Sequence, residues 1–326
     1  MTKTDTARKY RDDYGMEMAQ RKLARIMYKD HKLLFKDEEQ ARFYLRTIEG
    51  KVGKNATIRT TPTHPHPPRP LNPYNLPKSD ETEYKPFILK GHKRIAVFSD
   101  IHIPYHSIAA VSAALSFCKK EKPDALLLNG DSLDCFQLSR FVKDPRKRHF
   151  SDELRIFQET IQVFQKELNC KIYFKYGNHE ERYENFLFQK AKELVGVEEF
   201  ELDNIIKARA NGIEIIKDKR IIHAAGLNII HGHEFSTGFF SPVNVARGLF
   251  LRGKTSALQG HSHQTSEHTE SDMNGKITTT WSVGCLCELH PAYAPLNKWN
   301  SGMCLIEVDG NNFQVRNKRI FKGEVL

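Results

Sequence analysis

"RIAVFSDIH", residues 94–102, decides how the rest of the chain is read. An apolar run of strand length stops abruptly at serine, aspartate and histidine, so a buried strand delivers polar, metal-ligating side chains at its carboxyl end. The construction recurs: "ALLLNGD" (125–131) is a second compact apolar strand and "KIYFKYGN" (171–178) a third. Helix-like stretches at 107–121 and 152–168 separate them. Strands alternating with helices imply a parallel core sheet under helical cover. The later chain is strand-rich, with runs at 212–217, 220–225, 227–232, 256–261, 278–284, 303–309 and 313–319. A βαβ front half and a mostly β back half predict two facing sheets with helices outside.

The strand ends share a chemistry. The first gives Asp100 and His102, the second Asp131 and Asp134 in "NGDSLD", and the third Asn178 and His179. "IIHGHE" adds His231 and His233, and "LQGHSH" adds His261 and His263. Side chains at the carboxyl ends of strands in an open α/β sheet converge on one crevice. Mixed carboxylate, amide oxygen and imidazole suit borderline divalent ions such as Mn, Fe, Zn or Ni. One carboxylate can bridge two ions, and a pair about 3.5–4 Å apart is the clamp of phosphate-ester hydrolysis. A lone D-x-H is commonplace, and an isolated strand-end histidine is more often a packing or capping residue. Five such pieces in this order are hard to attribute to chance.

Together "DIH" (100–102), "GDSLD" (130–134), "GNHE" (177–180), "HGH" (231–233) and "GHSH" (260–263) resemble the signature of the calcineurin-like metallophosphoesterase superfamily, across roughly residues 94–310. The resemblance implies an α/β fold, a four-layer αββα sandwich, and two divalent metal ions, manganese first among the four metals. Carried over motif by motif, Asp100, His102, Asp131 and His263 would hold one ion. Asn178, His231 and His261 would hold the other, with Asp131 shared. His179 would protonate the leaving alkoxide, and Asp134 would orient its ring. His233 rivals His231, but the superfamily places its ligand directly after the apolar strand, which favours His231. Glu180 and Arg182 are read as the start of a following helix, without chemistry.

The serine/threonine protein phosphatases of that superfamily carry arginines in GDxVDRG and RGNHE, where this chain has "GDSLDCF" and "YGNHE". The missing arginines point away from phosphoprotein substrates. "KDPRKRHF" (143–150) and "NVARGLFLRGK" (244–254) offer Arg146, Arg148, Arg247 and Arg252 to an extended polyanion, against the plainer reading of a basic loop and helix face. The segments "GNHEER", "PVNVARG" and "TTTWSVGCLCELHPAYAPLNKW" are also similar to metallophosphoesterases of phages and mobile elements described as DNA-repair-exonuclease-like. The expectation is a phosphodiesterase acting on nucleic acid. The alternatives are a phosphomonoesterase or cyclic-nucleotide phosphodiesterase, and a non-catalytic nucleic-acid-binding or virion-associated protein on the same scaffold. Aromatics of the 281–299 stretch are expected to pack beneath the site.

The first 90 residues lie outside the resemblance. Residues 17–30 and 38–50 read as two short amphipathic helices in a hairpin, the second N-capped by Asp37 and closed by Gly50. Eight of the fourteen prolines fall in 62–86, a polyproline-like linker whose His64 and His66 read as solvated. The expected domains are a small basic helical appendage (1–60), a Pro-rich linker (61–90) and a metallophosphoesterase domain (91–326). Of the net +10, residues 1–90 hold 19 Lys and Arg against 12 Asp and Glu, which fits an acidic partner or a plain solvated surface equally. No apolar run approaches the ~20 residues of a membrane span, and no signal-peptide core opens the chain. Six scattered cysteines without a CxxC pair read as reduced thiols of a cytoplasmic protein, in the host cytoplasm if phage-encoded. Cys285 and Cys287 read as small buried strand residues rather than a metal site. The oligomeric state is open, a homodimer included.

Overall fold

The computed structural model describes residues 2–15, 18–52, 74–77, 79–82, 84–143, 149–235, 243–291 and 294–326. Contacts divide the chain into two compact units, Met1–Ser79 and Asp80–Leu326. Most of the proline-rich stretch, with His64 and His66, lies outside the described residues, as do Arg146 and Arg148.

The N-terminal unit has three helices where the sequence predicts a hairpin of two: α1 (Lys3–Tyr14), α2 (Gln20–Asp30) and α3 (Glu38–Ile48). The missed α1, "KTDTARKYRDDY", is too polar to show an apolar stripe. It is fixed instead by a capping box between Thr2 and Asp5 and by Ala7 and Tyr10, which join Leu23, Met27, Phe35 and Leu45 in a small core. Asp37 caps α3 as expected, accepting from the Gln40 amide.

The second unit begins with β1 (Phe87–Ile88), β2 (Arg94–Phe98), α4 (Ile108–Glu121), β3 (Ala125–Asn129), α5 (Phe150–Leu168) and β4 (Lys171–Lys175). Then come α6 (Glu181–Lys190), α7 (Leu202–Ile205), β5 (Glu214–Ile216), β6 (Ile222–Ala224), β7 (Leu227–Ile229) and α8 (Val245–Gly253). Strands β8 (Ala257–Gln259), β9 (Ser266–Ser271), β10 (Ile277–Ser282), β11 (Ser301–Asp309), β12 (Asn312–Phe321) and β13 (Glu324–Val325) complete it. One sheet runs β13-β12-β11-β2-β3-β4-β5, and the other β1-β6-β7-β8-β10-β9. Strands β2 to β5 are mutually parallel.

Alternation along the strands builds both cores. Ala96, Phe98, Leu126, Leu128 and Phe174 face Phe157 and Phe164 of α5 and Ala114 of α4. Ile95, Val97 and Leu127 face Leu227, Ile229 and Leu258 of the other sheet. Burial on both sides explains why β2 and β3 read as unbroken apolar runs. On the far face of the second sheet, Leu249 of α8 packs with Ile230 and Ala257. The layers are αββα. Strand β9, "SEHTES", escapes sequence reading because it is a largely exposed edge strand paired only with β10.

Candidate metal centre

Each motif follows a strand end. Asp100 follows β2, Asp131 follows β3, Asn178 follows β4, His231 follows β7 and His261 follows β8. The backbone turns sharply there: Asp100 (φ 55), His102 (φ 50), Asp131 (φ 51), His261 (φ 65) and His263 (φ 55) all lie in the left-handed region. Non-glycine residues adopt it at a cost of about 1 kcal/mol or more each, so the surroundings must enforce it. Cross-strand bonds do so: the amide of Asp100 donates to Gly130 O at 3.1 Å, and that of His102 to Asp131 O at 2.9 Å. Gly177 and Gly260 permit close approach. A Cβ on Gly177 would overlap Asp131 Oδ1, and one on Gly260 would overlap Ser99 Oγ.

Ligand-type atoms of His102, Asp131 and His179 lie within 4.8 Å of one another, as do those of Asp131, His231 and His261, and of His102, His263 and Cys287. Asp131 belongs to two of these groups. Its Oδ2 is 3.3 Å from His231 Nε2, 3.7 Å from His179 Nε2 and 4.0 Å from His102 Nε2. Asp100 Oδ1 is 3.1 Å from His263 Nε2 and 3.9 Å from His102 Nε2.

The donor set fits divalent cations because several of its buried side chains keep a ligand-type atom without a hydrogen bond, while His102 Nε2 meets His263 Nε2 at 3.1 Å. His231 Nδ1 donates to Asn129 O at 2.8 Å, leaving Nε2 as a buried lone pair. His102 Nδ1 is 3.0 Å from Asp134 Oδ1. Asp100 Oδ2 accepts from Ser99 Oγ at 2.6 Å and from the His261 amide at 2.9 Å, and Oδ1 is left over. Asn178 Oδ1, His261 Nδ1 and His263 Nδ1 are buried without partners too. Proteins rarely leave so many buried polar atoms unsatisfied in one place unless an ion completes them.

Burial would raise the Asp100 and Asp131 carboxyls. The histidines beside them, His263 for Asp100 and His231 and His179 for Asp131, hold both well below the usual carboxylate range. Burial opposes charge on His231, yet Asp131 pushes it up to about 10. His261 falls to about 4, through burial and the charge of His231. The field that would keep a proton on His231 equally favours a cation in its place.

His179 stands at the edge of this cluster. Its Nδ1 is 2.9 Å from the Asp134 carbonyl and 3.2 Å from Asp134 Oδ1. Asp134 thus orients His179 through both main and side chain, and shares its carboxylate with His102. Arg182 reaches the same ring: Nη2 donates to His179 Nε2 at 2.7 Å, and Nη1 to Asp134 O at 2.8 Å. A guanidinium only donates, so here Nε2 is the acceptor and Nδ1 carries the proton. Burial works against charge on His179, but Asp131 and Asp134 raise its pKa in spite of Arg182.

Several readings change. Arg182, assigned no chemistry from sequence, touches the proposed acid. Glu180, also set aside, is fully buried: its carboxylate accepts from the amides of Asp131 (3.0 Å), Ser132 (2.8 Å), Leu133 (2.9 Å) and Gly177 (2.8 Å). It staples the second motif to the third. Lys175 is buried to 0% exposure and pairs with Glu234 at 2.9 Å, while Glu234 accepts from the amides of His231 (2.9 Å) and Gly232 (2.6 Å). A lysine inside an apolar strand and a glutamate three residues after a candidate ligand were the available signals. His233 turns to Glu181 at 3.0 Å, which leaves His231 as the residue facing Asp131. Cys285 and Cys287 lie beyond β10 in no named strand, and Cys287 adjoins His102 and His263. Trp281 packs in the core between the sheets, whereas the Trp299 ring sits 4.1 Å from that of His263. Arg247 and Arg252 ride on α8, where Arg252 stacks on Phe235 at 5.0 Å. Among the described residues neither contacts the cluster.

A family model for calcineurin-like phosphoesterases matches residues 93–275. The gene 54 protein of Mycobacterium phage L5 is 26% identical over 233 residues, covering 68% of this chain and 91% of that protein, and its counterpart in phage D29 is 26% identical over 234. Among solved structures, zinc-complexed Vps29 from Entamoeba histolytica aligns with a TM-score of 0.37 at 13% identity, over 72% of this chain and 96% of its own. A dimetal phosphatase from Danio rerio gives 0.37 at 10% identity, over 72% and 98%. With the family match running from β2 past the last histidine motif, the chain belongs to the calcineurin-like phosphoesterase family.

Proposed function

We propose that this protein is a two-metal phosphodiesterase whose substrate is nucleic acid, with manganese the first metal to test. The observation that carries the reading is Asp131, one carboxylate common to two groups of ligand-type atoms. Asp100, His102, Asp131 and His263 would hold one ion, and Asp131, Asn178, His231 and His261 the other. Two bound divalent ions supply an activated water and neutralise charge on the phosphoryl oxygens. Asp134 holds the His179 ring with Nε2 facing Asp131, the direction from which a leaving oxygen would take its proton. Arg182 donates to that same atom, so an entering phosphoryl group would draw the guanidinium to its own oxygens and free Nε2 to carry a proton.

Arg182 also favours a second reading. The site does not lack a guanidinium after all, so a phosphomonoester is the competing substrate. The test is turnover of bis-p-nitrophenyl phosphate beside p-nitrophenyl phosphate by manganese-loaded protein. Faster diester turnover supports the proposal, and monoester turnover alone overturns it. No turnover by metal-replete protein would assign the fold to a binding role. The same reading makes residues 1–60 a basic arm for an acidic partner, 61–90 its linker and 91–326 the catalytic domain. It places the protein in a phage host's cytoplasm.

A further inference from the structure

A cavity of about 690 Å³ opens between the segment after β3 and helix α6. Arg140, Lys143, Arg182 and Lys190 line it, with the amides of Asn185 and two glutamines, and among the described residues no carboxylate does. A second cavity, of about 590 Å³, mixes signs, with Glu181, Glu184 and Glu201 beside Lys217 and Lys219. Of the two, only the first has an acid-free wall among the described residues. Phe141 adds an aromatic face that is 55% exposed, with the Arg140 guanidinium 5.7 Å from its ring centre. Arg182 lines this wall and also donates to His179, so one residue links the groove to the proposed acid.

Cations that track a phosphate backbone, beside an aromatic ring on which a base can stack, are the elements by which proteins hold single strands. A duplex keeps its bases stacked inside and has no free face for Phe141. A lone phosphoryl group would need one cation here, not four.

We propose that this groove binds single-stranded nucleic acid flanking the scissile phosphate. Arg140, Lys143 and Lys190 contact its phosphates, Phe141 stacks on a base, and Arg182 joins the groove to the reaction site. The inference rests on the phosphodiesterase reading and deepens it.

The test uses full-length, manganese-loaded protein and a fluorescent oligothymidylate of about 12 nucleotides, within the span such sites cover. Anisotropy is followed across a salt series, and kcat/KM is measured on the oligonucleotide and on bis-p-nitrophenyl phosphate. Arg140→Glu with Lys190→Glu, both at exposed positions, should weaken binding at least tenfold and flatten the log–log salt slope by about 1.4, for two lost contacts. Phe141→Ala should weaken binding on the order of tenfold at an unchanged slope. In both variants the ratio of kcat/KM for oligonucleotide to that for the small diester should fall at least tenfold. Unchanged affinity and slope would overturn the groove, as would tighter binding of a duplex through the same residues or displacement of the strand by a phosphopeptide at lower concentration. If wild-type protein leaves the small diester intact but binds the strand through these residues, the hydrolytic reading fails and the groove stands. If it turns over the diester while strand binding ignores both variants, only the groove fails.

Discussion

Each unit of this protein buries a polar cluster, and the two are finished differently. In the N-terminal unit Arg11 Nε donates to Glu49 at 2.8 Å, and Nη1 donates to the carbonyls of Gly15 (3.0 Å) and Met18 (2.9 Å). Glu49 also accepts from Gln20 at 2.6 Å and pairs with Lys51 at 2.9 Å. No buried polar atom of either side chain is left without a hydrogen bond, and the result ties three helices together. Around Asp131 the opposite holds: Asp100 Oδ1, Asn178 Oδ1 and His231 Nε2 are buried without a hydrogen bond, and the backbone at Asp100 and Asp131 is held in left-handed turns. A closed network stabilises. An open one is a site, kept open by neighbours that are themselves closed, Glu180 and the Lys175–Glu234 pair above all.

The largest effect expected from breaking the open cluster is on rate. His179→Ala should lower kcat for a phosphodiester by about 10²–10⁴ while bound metal, counted by elemental analysis, stays the same. Loss of metal along with rate would make His179 a ligand and redraw the cluster. Lys175→Met attacks the support instead. It strands Glu234 as an unpaired buried carboxylate, which should cost about 3–5 kcal/mol in urea unfolding, with a 10- to 100-fold loss of metal affinity as the His231 loop loosens. A cost under about 1 kcal/mol with affinity intact would show that the pair does not hold that loop.

Arg11→Met should destabilise the helical unit by about 3 kcal/mol, because buried Glu49 loses its guanidinium and keeps only Gln20 and Lys51 on its other oxygen. Here the two regions should part company. Adding Glu49→Leu to Arg11→Met should return stability to within about 1 kcal/mol of wild type, since two apolar groups replace a closed pair. Adding Glu234→Leu to Lys175→Met should recover only part of the stability and none of the metal affinity, because the buried amides of His231 and Gly232 lose their acceptor. Recovery of both would mean that the two networks do the same job.

The contrast also explains what was legible in the sequence. Strands β2, β3 and β4 could be read because both faces are buried, and their ends because Asp100, Asp131 and Asn178 interrupt apolar runs. The candidate ligands stood out as residue types that need no neighbour in sequence to announce themselves. Glu180, Glu234 and Arg182 were not, because a charged residue at a loop or helix start usually faces solvent, and only the folded chain shows that backbone amides or an imidazole surround it. Helix α1 was hidden for a related reason. Its stability comes from a cap and two or three packed side chains, not from a stripe.

The last effect concerns a support one step further out, and it is small only at low pH. Glu153, at the start of α5, is 4% exposed and accepts from the Cys135 amide at 2.7 Å, which fastens the chain just after Asp134. Burial pushes its carboxyl up to about 8 against the help of that hydrogen bond, with Asp134 adding to the rise. Between the ordinary value near 4.5 and about 8 the folded protein keeps a proton that the unfolded chain has released, so this residue makes the protein less stable as pH rises. The full span is worth on the order of 5 kcal/mol at about 1.4 kcal/mol per pH unit, the greater part developing between pH 5 and pH 8. Glu153→Gln keeps a carbonyl for the Cys135 amide and cannot ionise, so its advantage over wild type should grow from near zero at pH 5 to a few kcal/mol at pH 8. Urea unfolding of both proteins under identical metal loading measures the difference, in which the titrations of the histidine cluster cancel. Parallel pH profiles would mean that Glu153 is ionised in the folded state and that its burial is compensated by a partner other than the Cys135 amide.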